Sequence, residues 1–157
     1  MAIVYVALGS NEGDKSAQLL QAVEEMKVFF NVRCLSTIIE SDPQGLATSQ
    51  AVFCNAVAEI ETDLDPMQVL QKLLEIEEKM GRRMEEKGQG LPRSIDLDVL
   101  SYEDQVIDTT RLSVPHPRMT QRQFVLGPLA QINPNWVHPI EKKNVEELLN
   151  ELGHEAY

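Results

Sequence analysis

Nothing in this chain of 157 residues is apolar for long enough to span a bilayer, which takes about 20 consecutive apolar residues. The opening run Ala2 to Leu8 is far shorter and has no basic flank. It therefore reads as neither membrane anchor nor signal peptide, and the expected compartment is the cytoplasm. Cysteine is equally scarce: Cys34 and Cys54 stand alone, with no C-x-x-C and no Cys/His cluster. That pattern argues against a zinc framework and for two free thiols in a reducing interior. Positive charge is in deficit, with 14 Lys plus Arg against 25 Asp plus Glu and a formal net charge of −11. DNA, RNA and anionic lipid are repelled at long range by such a chain. Repeats, low-complexity tracts and linkers are missing too, so residues 1–157 are expected to form a single domain, long enough to bury a real core.

What positive charge there is has a pattern. Six of the seven arginines, Arg82, Arg83, Arg93, Arg111, Arg118 and Arg122, fall between positions 82 and 122, whereas the lysines scatter. A guanidinium presents a rigid fork of donors suited to phosphate oxygens, so the cluster points to a small, highly anionic ligand. Inside it lies Ile95-Asp96-Leu97-Asp98-Val99, where acidic and apolar residues alternate. A strand here puts both carboxylates on one face, with Cα atoms roughly 6.6 Å apart at ~3.3 Å of rise per residue. Both acids can then reach one hard cation, or each can serve one of a pair. A half-buried strand with an acidic outer face is the bland alternative for a lone D-x-D, and it is the arginine context that favours the metal.

Along the chain, Ile3 to Leu8 reads as a first strand ending at the Gly9-Ser10-Asn11 turn. Asp14 is a plausible cap for a helix with Leu19, Leu20, Val23, Met26, Phe29 and Phe30 at helical spacing. Strands are expected over Val32 to Ile39 and, after a Pro/Gly/polar loop at 42–49, over Ala51 to Ile60. Asp65-Pro66-Met67-Gln68 is a capping box with proline in the first turn, and the helix it starts runs to Met80 with Gly81 as its stop. A strand over Ser94 to Leu100 completes the order β-α-β-β-α-β. This is the α+β, ferredoxin-like arrangement, a mainly antiparallel sheet flanked by helices. The remainder forms a helical extension, with a helix from about Thr120 interrupted at Gly127-Pro128 and a terminal helix from Asn144 to Leu152.

Several residues on this frame have the chemistry of a site. Gly9 to Asp14 lies where phosphate loops occur but matches neither G-x-x-x-x-G-K-[ST] nor G-x-G-x-x-G, so a turn and helix cap is the better reading. Phe53 and Asn55 share a strand face, and an amide beside a ring suits a flat heterocycle, with backbone groups of Pro43-Gln44-Gly45 at its other edge. The alternative is a core Phe53 with Asn55 bonded to a neighbouring loop. Glu77 interrupts the apolar stripe Leu70, Leu73, Leu74, Met80 and marks either the edge of a site or a solvated flank. His116, between Pro115 and Pro117, has a fixed backbone from which to donate to a phosphate, although a lone loop histidine is usually a surface residue. Taken alone, Phe124 reads as core.

Together these fragments resemble the 6-hydroxymethyl-7,8-dihydropterin pyrophosphokinase family. The motifs in order are Val6-Ala7-Leu8-Gly9-Ser10-Asn11, Asp42-Pro43-Gln44-Gly45, Phe53-Cys54-Asn55-Ala56-Val57, Ile76-Glu77 with Gly81-Arg82, Pro92-Arg93-Ser94-Ile95-Asp96-Leu97-Asp98, Val114-Pro115-His116-Pro117 and Arg122-Gln123-Phe124-Val125-Leu126. The resemblance implies a Mg²⁺-dependent enzyme of folate biosynthesis that moves pyrophosphate from ATP to the pterin hydroxymethyl group and releases AMP. It further implies two Mg²⁺ ions on Asp96 and Asp98, and the triphosphate on Arg82, Arg93, His116 and Arg122, with Glu77 and Arg111 beside the nucleotide. The pterin falls to Pro43, Gln44, Gly45, Phe53, Asn55 and Phe124, and Asp96, Asp98, Arg82 and Arg93 carry the catalysis. ATP and the pterin are the expected partners, with no nucleic acid, membrane or obligate protein partner. One departure stands out. Family members usually carry a tryptophan and further arginines between the Gly-Arg and Pro-Arg motifs, whereas Met84 to Leu91 is acidic here and the only tryptophan is Trp136. Weaker ATP affinity or slower turnover is the expected consequence. A nucleotidyltransferase is disfavoured because its Asp pair normally follows a Gly-Ser turn closely, and a non-catalytic binding module remains the more serious rival.

Overall fold

The computed structural model describes residues 1–11, 13–41, 53–81 and 95–155. Their order is β1 (Ala2–Ser10), α1 (Lys15–Phe29), β2 (Asn31–Leu35), β3 (Ile39–Ser41), β4 (Phe53–Thr62), α2 (Pro66–Lys79), β5 (Asp96–Tyr102), β6 (Ile107–Asp108), β7 (Ser113–Val114), a 3-10 turn (Met119–Gln121), α3 (Gln123–Ile132) and α4 (Val145–Glu155). The main sheet runs β2-β4-β1-β5, every neighbouring pair antiparallel, with β3 on the same side of β4 as β2. This is the ferredoxin-like order. Both parallel relations, β1 with β2 and β4 with β5, are separated by a strand that each crossover helix spans.

Two apolar layers hold the sheet. On one face Val4, Val6, Leu8, Ala56, Ala58, Leu97 and Val99 meet Leu19, Ala22, Val23 and Met26 of α1 and Val69, Leu73 and Ile76 of α2. On the other, Tyr5, Val57 and Leu100 meet Val125, Leu126 and Leu129 of α3 and Val145 and Leu148 of α4. The alternation of β1 residues between the two layers is what period two requires of a central strand. Along β5, Leu97 and Val99 face the α1/α2 side and Leu100 the other, and a bulge between Tyr5 and Val6 skips Leu100 in the ladder.

Helix ends follow their sequence signals. Asp14 accepts from Ala17 N at 3.2 Å. Asp65 and Gln68 close a reciprocal capping box, and Gly81 adopts φ +98°, the left-handed region glycine tolerates. Asn144 and Glu147 make a second box at the start of α4.

Four expectations need correction. The segment Val32 to Ile39 is two strands, because Ser36 occupies both backbone groups of Val57. Its N–H donates to the Val57 carbonyl and its Oγ accepts from Val57 N, each at 2.9 Å. Thr37 N then turns to Gln131 Oε1 at 2.6 Å, so the chain leaves the ladder. On α1, Leu20 and Phe29 lie on the outer side, 52% and 37% exposed, since Leu19, Val23, Met26 and Phe30 fill the arc facing the sheet. α3 starts at Gln123, after the 3-10 turn, and runs unbroken through Gly127-Pro128. Burial of Val125, Leu126, Pro128 and Leu129 offsets the ladder bond proline cannot make. β5 extends past Leu100 to Tyr102, whose hydroxyl donates to the Leu64 carbonyl. Among the described residues no helix is long and apolar enough to cross a membrane.

One buried histidine gives the fold an acid sensitivity. His138 is 5% exposed, and its Nδ1 accepts from Ile140 N and Glu141 N. Burial holds it below the ordinary histidine range, with Glu141 pulling weakly upward. As pH falls below the unfolded value of about 6.5, the unfolded chain takes a proton that native His138 refuses, so this residue lowers stability there and has no effect above. The variant His138→Asn keeps an acceptor for the same two N–H groups and does not titrate. Its thermal midpoint is expected to drop less than the parent's between pH 7 and pH 5, and equal drops would contradict the assignment.

Candidate active site

The site face of the sheet is the one α3 covers in part. Gly9 of β1 pairs with Asn55 on one side and Asp96 on the other, and Ala7 pairs with Val57 and Asp98. Asn55 and Asp96 thus flank a residue with no side chain at a Cα separation of roughly 9 to 10 Å, two inter-strand spacings. An alanine at Gly9 would place its Cβ 3.5 Å from Asn55 Oδ1 and 3.9 Å from Phe53 Cδ1, ordinary contact distances that would nonetheless fill the floor. Phe53, Asn55, Gly9, Asp96 and Asp98 line one cleft together with Arg122 and Phe124. The two aromatic residues therefore come from the sheet and from α3.

Arg122 sits at the N-terminus of α3, its guanidinium carbon 5.6 Å from the centre of the Phe124 ring. It is held there by α3's apolar seat and by two polar ties farther along the helix. Gln131 exchanges hydrogen bonds with Thr37, and Asn133 Nδ2 donates to the Tyr5 hydroxyl at 2.8 Å. Tyr5 in turn donates to Glu59, which Arg33 also pairs at 3.1 Å, so burial and the neighbouring carboxylate push the Tyr5 phenol far up.

A second cleft opens around the β5 edge of the sheet. Leu70, Leu97 and Val99 form its apolar side, with Arg111, His116 and again Asp98. His116 follows a cis Val114–Pro115 peptide, and its N–H is fixed on the Leu100 carbonyl at 2.8 Å. Its Nδ1 accepts from Arg118 N at 3.2 Å, so the neutral ring carries its proton on Nε2. Burial pushes His116 below the ordinary histidine range. Asp98 and Asp96 pull it back up, while Arg122 and Arg118 push it down.

Glu77 lies behind the acidic strand, 3% exposed, and its carboxylate accepts from Leu97 N at 2.7 Å. The residue it grips is the one between the two aspartates. Glu77→Leu leaves that N–H without this acceptor and is expected to lower unfolding free energy by about 1 to 3 kcal/mol, whereas Glu77→Gln keeps an acceptor oxygen. Urea unfolding of the two variants decides it, and a leucine variant as stable as the parent would remove the bond from the account.

The structure brings together Phe53, Asn55, Asp96, Asp98, Arg122 and Phe124, and it places Arg111 and His116 with Asp98 at the second cleft. Glu77 is not among the lining residues of either. Pro43, Gln44, Gly45, Arg82, Arg93 and the Met84 to Leu91 segment lie outside the described residues. Sequence reasoning missed Ser41, whose Oγ accepts from Asn55 Nδ2 at 2.7 Å. A serine at the entrance of a Pro/Gly loop gives no signal by itself. The two-carboxylate set suits Mg²⁺, which binds through one or two carboxylates plus substrate phosphates and keeps several waters. Among the described residues no group of three or more His, Cys, Asp or Glu is placed to hold a metal ion.

The chain matches the family model described as 7,8-dihydro-6-hydroxymethylpterin-pyrophosphokinase over residues 5–134. It is 41% identical over 147 residues to the 2-amino-4-hydroxy-6-hydroxymethyldihydropteridine pyrophosphokinase of Aquifex aeolicus, covering 94% of this chain and 90% of that one. The Bacillus subtilis protein of the same description is 44% identical over 132 residues, 83% of this chain and 77% of its own length. Among solved structures, Plasmodium falciparum HPPK-DHPS with pteroate superposes with a TM-score of 0.76 at 15% identity, covering 96% of this chain and 42% of that one. That structural likeness carries the fold, and the sequence matches carry the kinship: the chain belongs to the 7,8-dihydro-6-hydroxymethylpterin-pyrophosphokinase family.

Proposed function

We infer that this chain transfers the pyrophosphoryl group of ATP to the hydroxymethyl group of 6-hydroxymethyl-7,8-dihydropterin, releasing AMP, in a Mg²⁺-dependent reaction of folate biosynthesis. The observation that carries this reading is the position of Asp98, which borders both the aromatic and amide cleft and the arginine and histidine cleft. A heterocycle on one side and a nucleotide on the other would meet at that carboxylate.

In the reaction the pterin hydroxyl oxygen forms a bond to the β-phosphorus, and the bond from that phosphorus to the α,β-bridging oxygen breaks. The electron pair leaves with AMP, and the hydroxyl proton passes to solvent water. Phe53 and Phe124 hold the ring, and Asn55 reads its polar edge, so the hydroxymethyl group is held toward the acidic strand. Such positioning supplies much of the rate in phosphoryl transfer, where little covalent chemistry falls to the protein. Arg122 and the Nε2–H of His116 donate to phosphate oxygens, on which the developing charge lies. Arg111 lines the same cleft as His116, and the family resemblance assigns Arg82 and Arg93 to the triphosphate as well. Two Mg²⁺ ions held by Asp96 and Asp98 would supply the charge neutralisation that brings a polyphosphate to an acidic protein. Glu77 acts from behind, by holding the strand between the two metal ligands. The same reading makes residues 1–157 one functional domain acting on small molecules without an obligate protein partner. We place it in the cytoplasm, where the free Cys34 and Cys54 remain reduced.

Incubation of the purified chain with ATP, MgCl₂ and 6-hydroxymethyl-7,8-dihydropterin is expected to yield AMP and pterin pyrophosphate in equal amounts. Production of ADP, or binding of both substrates without AMP, would overturn the reading.

A further inference from the structure

Beyond the last ladder pair of β6 and β7, Asp108 with Ser113, the chain reverses through Thr109-Thr110-Arg111-Leu112. A turn of this length is ordinarily closed by the fourth residue's N–H donating to the first residue's carbonyl. Here Leu112 N donates instead to the Thr109 hydroxyl at 3.0 Å, and that hydroxyl donates to the Leu112 carbonyl at 2.9 Å. The Thr109 N–H reaches the same carbonyl at 2.9 Å, while the Thr109 carbonyl accepts from Ser113 Oγ at 3.5 Å. Neither central residue has a positive φ. The turn is therefore not one of the primed types whose twist matches paired strands, and a side chain supplies closure that the backbone does not. Leu112 is buried with Val114 in the α1/α2 core. Arg111 beside it is exposed, and among the described residues no carboxylate pairs with it, whereas Arg33 is paired by Glu59 and Glu61. With no ion pair to orient it, Arg111 is offered to the second cleft, beside Asp98 and His116, by the turn that carries it. Thr109 lines that cleft too, but its one hydroxyl proton is committed to Leu112.

We propose that Thr109 is a positioning residue for the nucleotide: its hydroxyl closes the 109–112 turn and so holds Arg111 ready for phosphate oxygens. The proposal rests on the nucleotide reading of the second cleft and adds to it the origin of Arg111's placement. A guanidinium held in advance gives up less freedom when it binds, and the difference appears as affinity. Valine at position 109 keeps the branched shape but removes the partner of both Leu112 N and one lone pair of its carbonyl. The turn then keeps the bond from Thr109's own backbone N–H, and the ligand itself must order Arg111.

The test is calorimetric binding of an ATP analogue with a methylene group between the α and β phosphorus atoms, with Mg²⁺ present. The chains compared are the parent, Thr109→Val, Thr109→Ser, Arg111→Ala and the double variant Thr109→Val/Arg111→Ala. Arg111→Ala is expected to weaken the analogue about 30-fold, the scale of a hydrogen bond between charged groups. Thr109→Val is expected to weaken it about 10-fold, while Thr109→Ser, which keeps the hydroxyl, stays within about 2-fold of the parent. The double variant should bind no more weakly than Arg111→Ala, since a residue that acts through Arg111 then has nothing to position. At saturating analogue, 6-hydroxymethylpterin should bind Thr109→Val within about 2-fold of the parent, because the loss is confined to the nucleotide. Additive losses in the double variant, parental analogue affinity in Thr109→Val, or a Thr109→Val chain that is unfolded or equally weakened toward the pterin each overturn the proposal and leave the nucleotide reading standing. Failure of the parent to bind the analogue is a different outcome, which overturns the nucleotide reading and the proposal with it.

Discussion

Replacing either Asp96 or Asp98 by alanine is expected to lower kcat by about 10³-fold or more at saturating Mg²⁺, because the charge on the transferring phosphoryl oxygens then loses its fixed counter-ion. The fold should survive. Both side chains are only partly buried, whereas the strand itself is anchored by Ile95, Leu97 and Val99, each under 5% exposed. Two carboxylates on alternate residues of one strand also repel each other, so removing one relieves that repulsion in the metal-free protein. The expected pair of results is thus a lost turnover with a circular dichroism spectrum and thermal midpoint close to the parent's. AMP release followed across a Mg²⁺ titration checks it. Parental kcat in either variant would remove the metal assignment, and an unfolded variant would move the aspartates from chemistry to structure.

Arg122→Ala should be the next most damaging change, with a loss of about 10² to 10³-fold in kcat/KM for ATP, the usual scale for one preorganised donor in a transition state. The geometry makes Arg122 more than a surface charge. It lines the aromatic cleft beside Asp96 and Asp98, lies over the Phe124 ring, and helps push His116 down. Lysine at this position keeps the charge but not the planar fork, so Arg122→Lys should recover a minor part of the loss. Steady-state kinetics in both substrates separate the two roles. A phosphate contact appears in the ATP parameters, whereas a role confined to supporting Phe124 appears only in the pterin KM, and that second pattern would refute the phosphate assignment.

Local chemistry with an unambiguous signal was legible in the sequence. Asp14, Asp65 with Gln68, Gly81 and the alternation through Asp98 all describe interactions closed within a few residues, and each occurs in the structure. The β-α-β-β-α-β order was legible for the same reason, since each element carries its own periodicity. The break at Ser36 was not. It depends on Val57 and Gln131, which are distant in sequence, and an isolated serine in an apolar run announces neither. The continuous α3 was missed because proline was weighed without the tertiary burial that outweighs it. At the site, spacing singled out Asp96 with Asp98 and Phe53 with Asn55 as candidate pairs, and the structure lines one cleft with all four. Glu77 was noticed as a misplaced carboxylate, but its target, a backbone N–H across a packed layer, is a property of the fold alone.

The edge position of β5 has a thermodynamic consequence. Because Asp98 is a wall common to both clefts, whatever one ligand does to the orientation or charge of that carboxylate is felt by the other. Linkage then requires reciprocity: the factor by which nucleotide changes pterin affinity equals the factor by which pterin changes nucleotide affinity. Under the proposed reading, two occupants of one molecule would thus sense each other through a single side chain at the rim of the sheet.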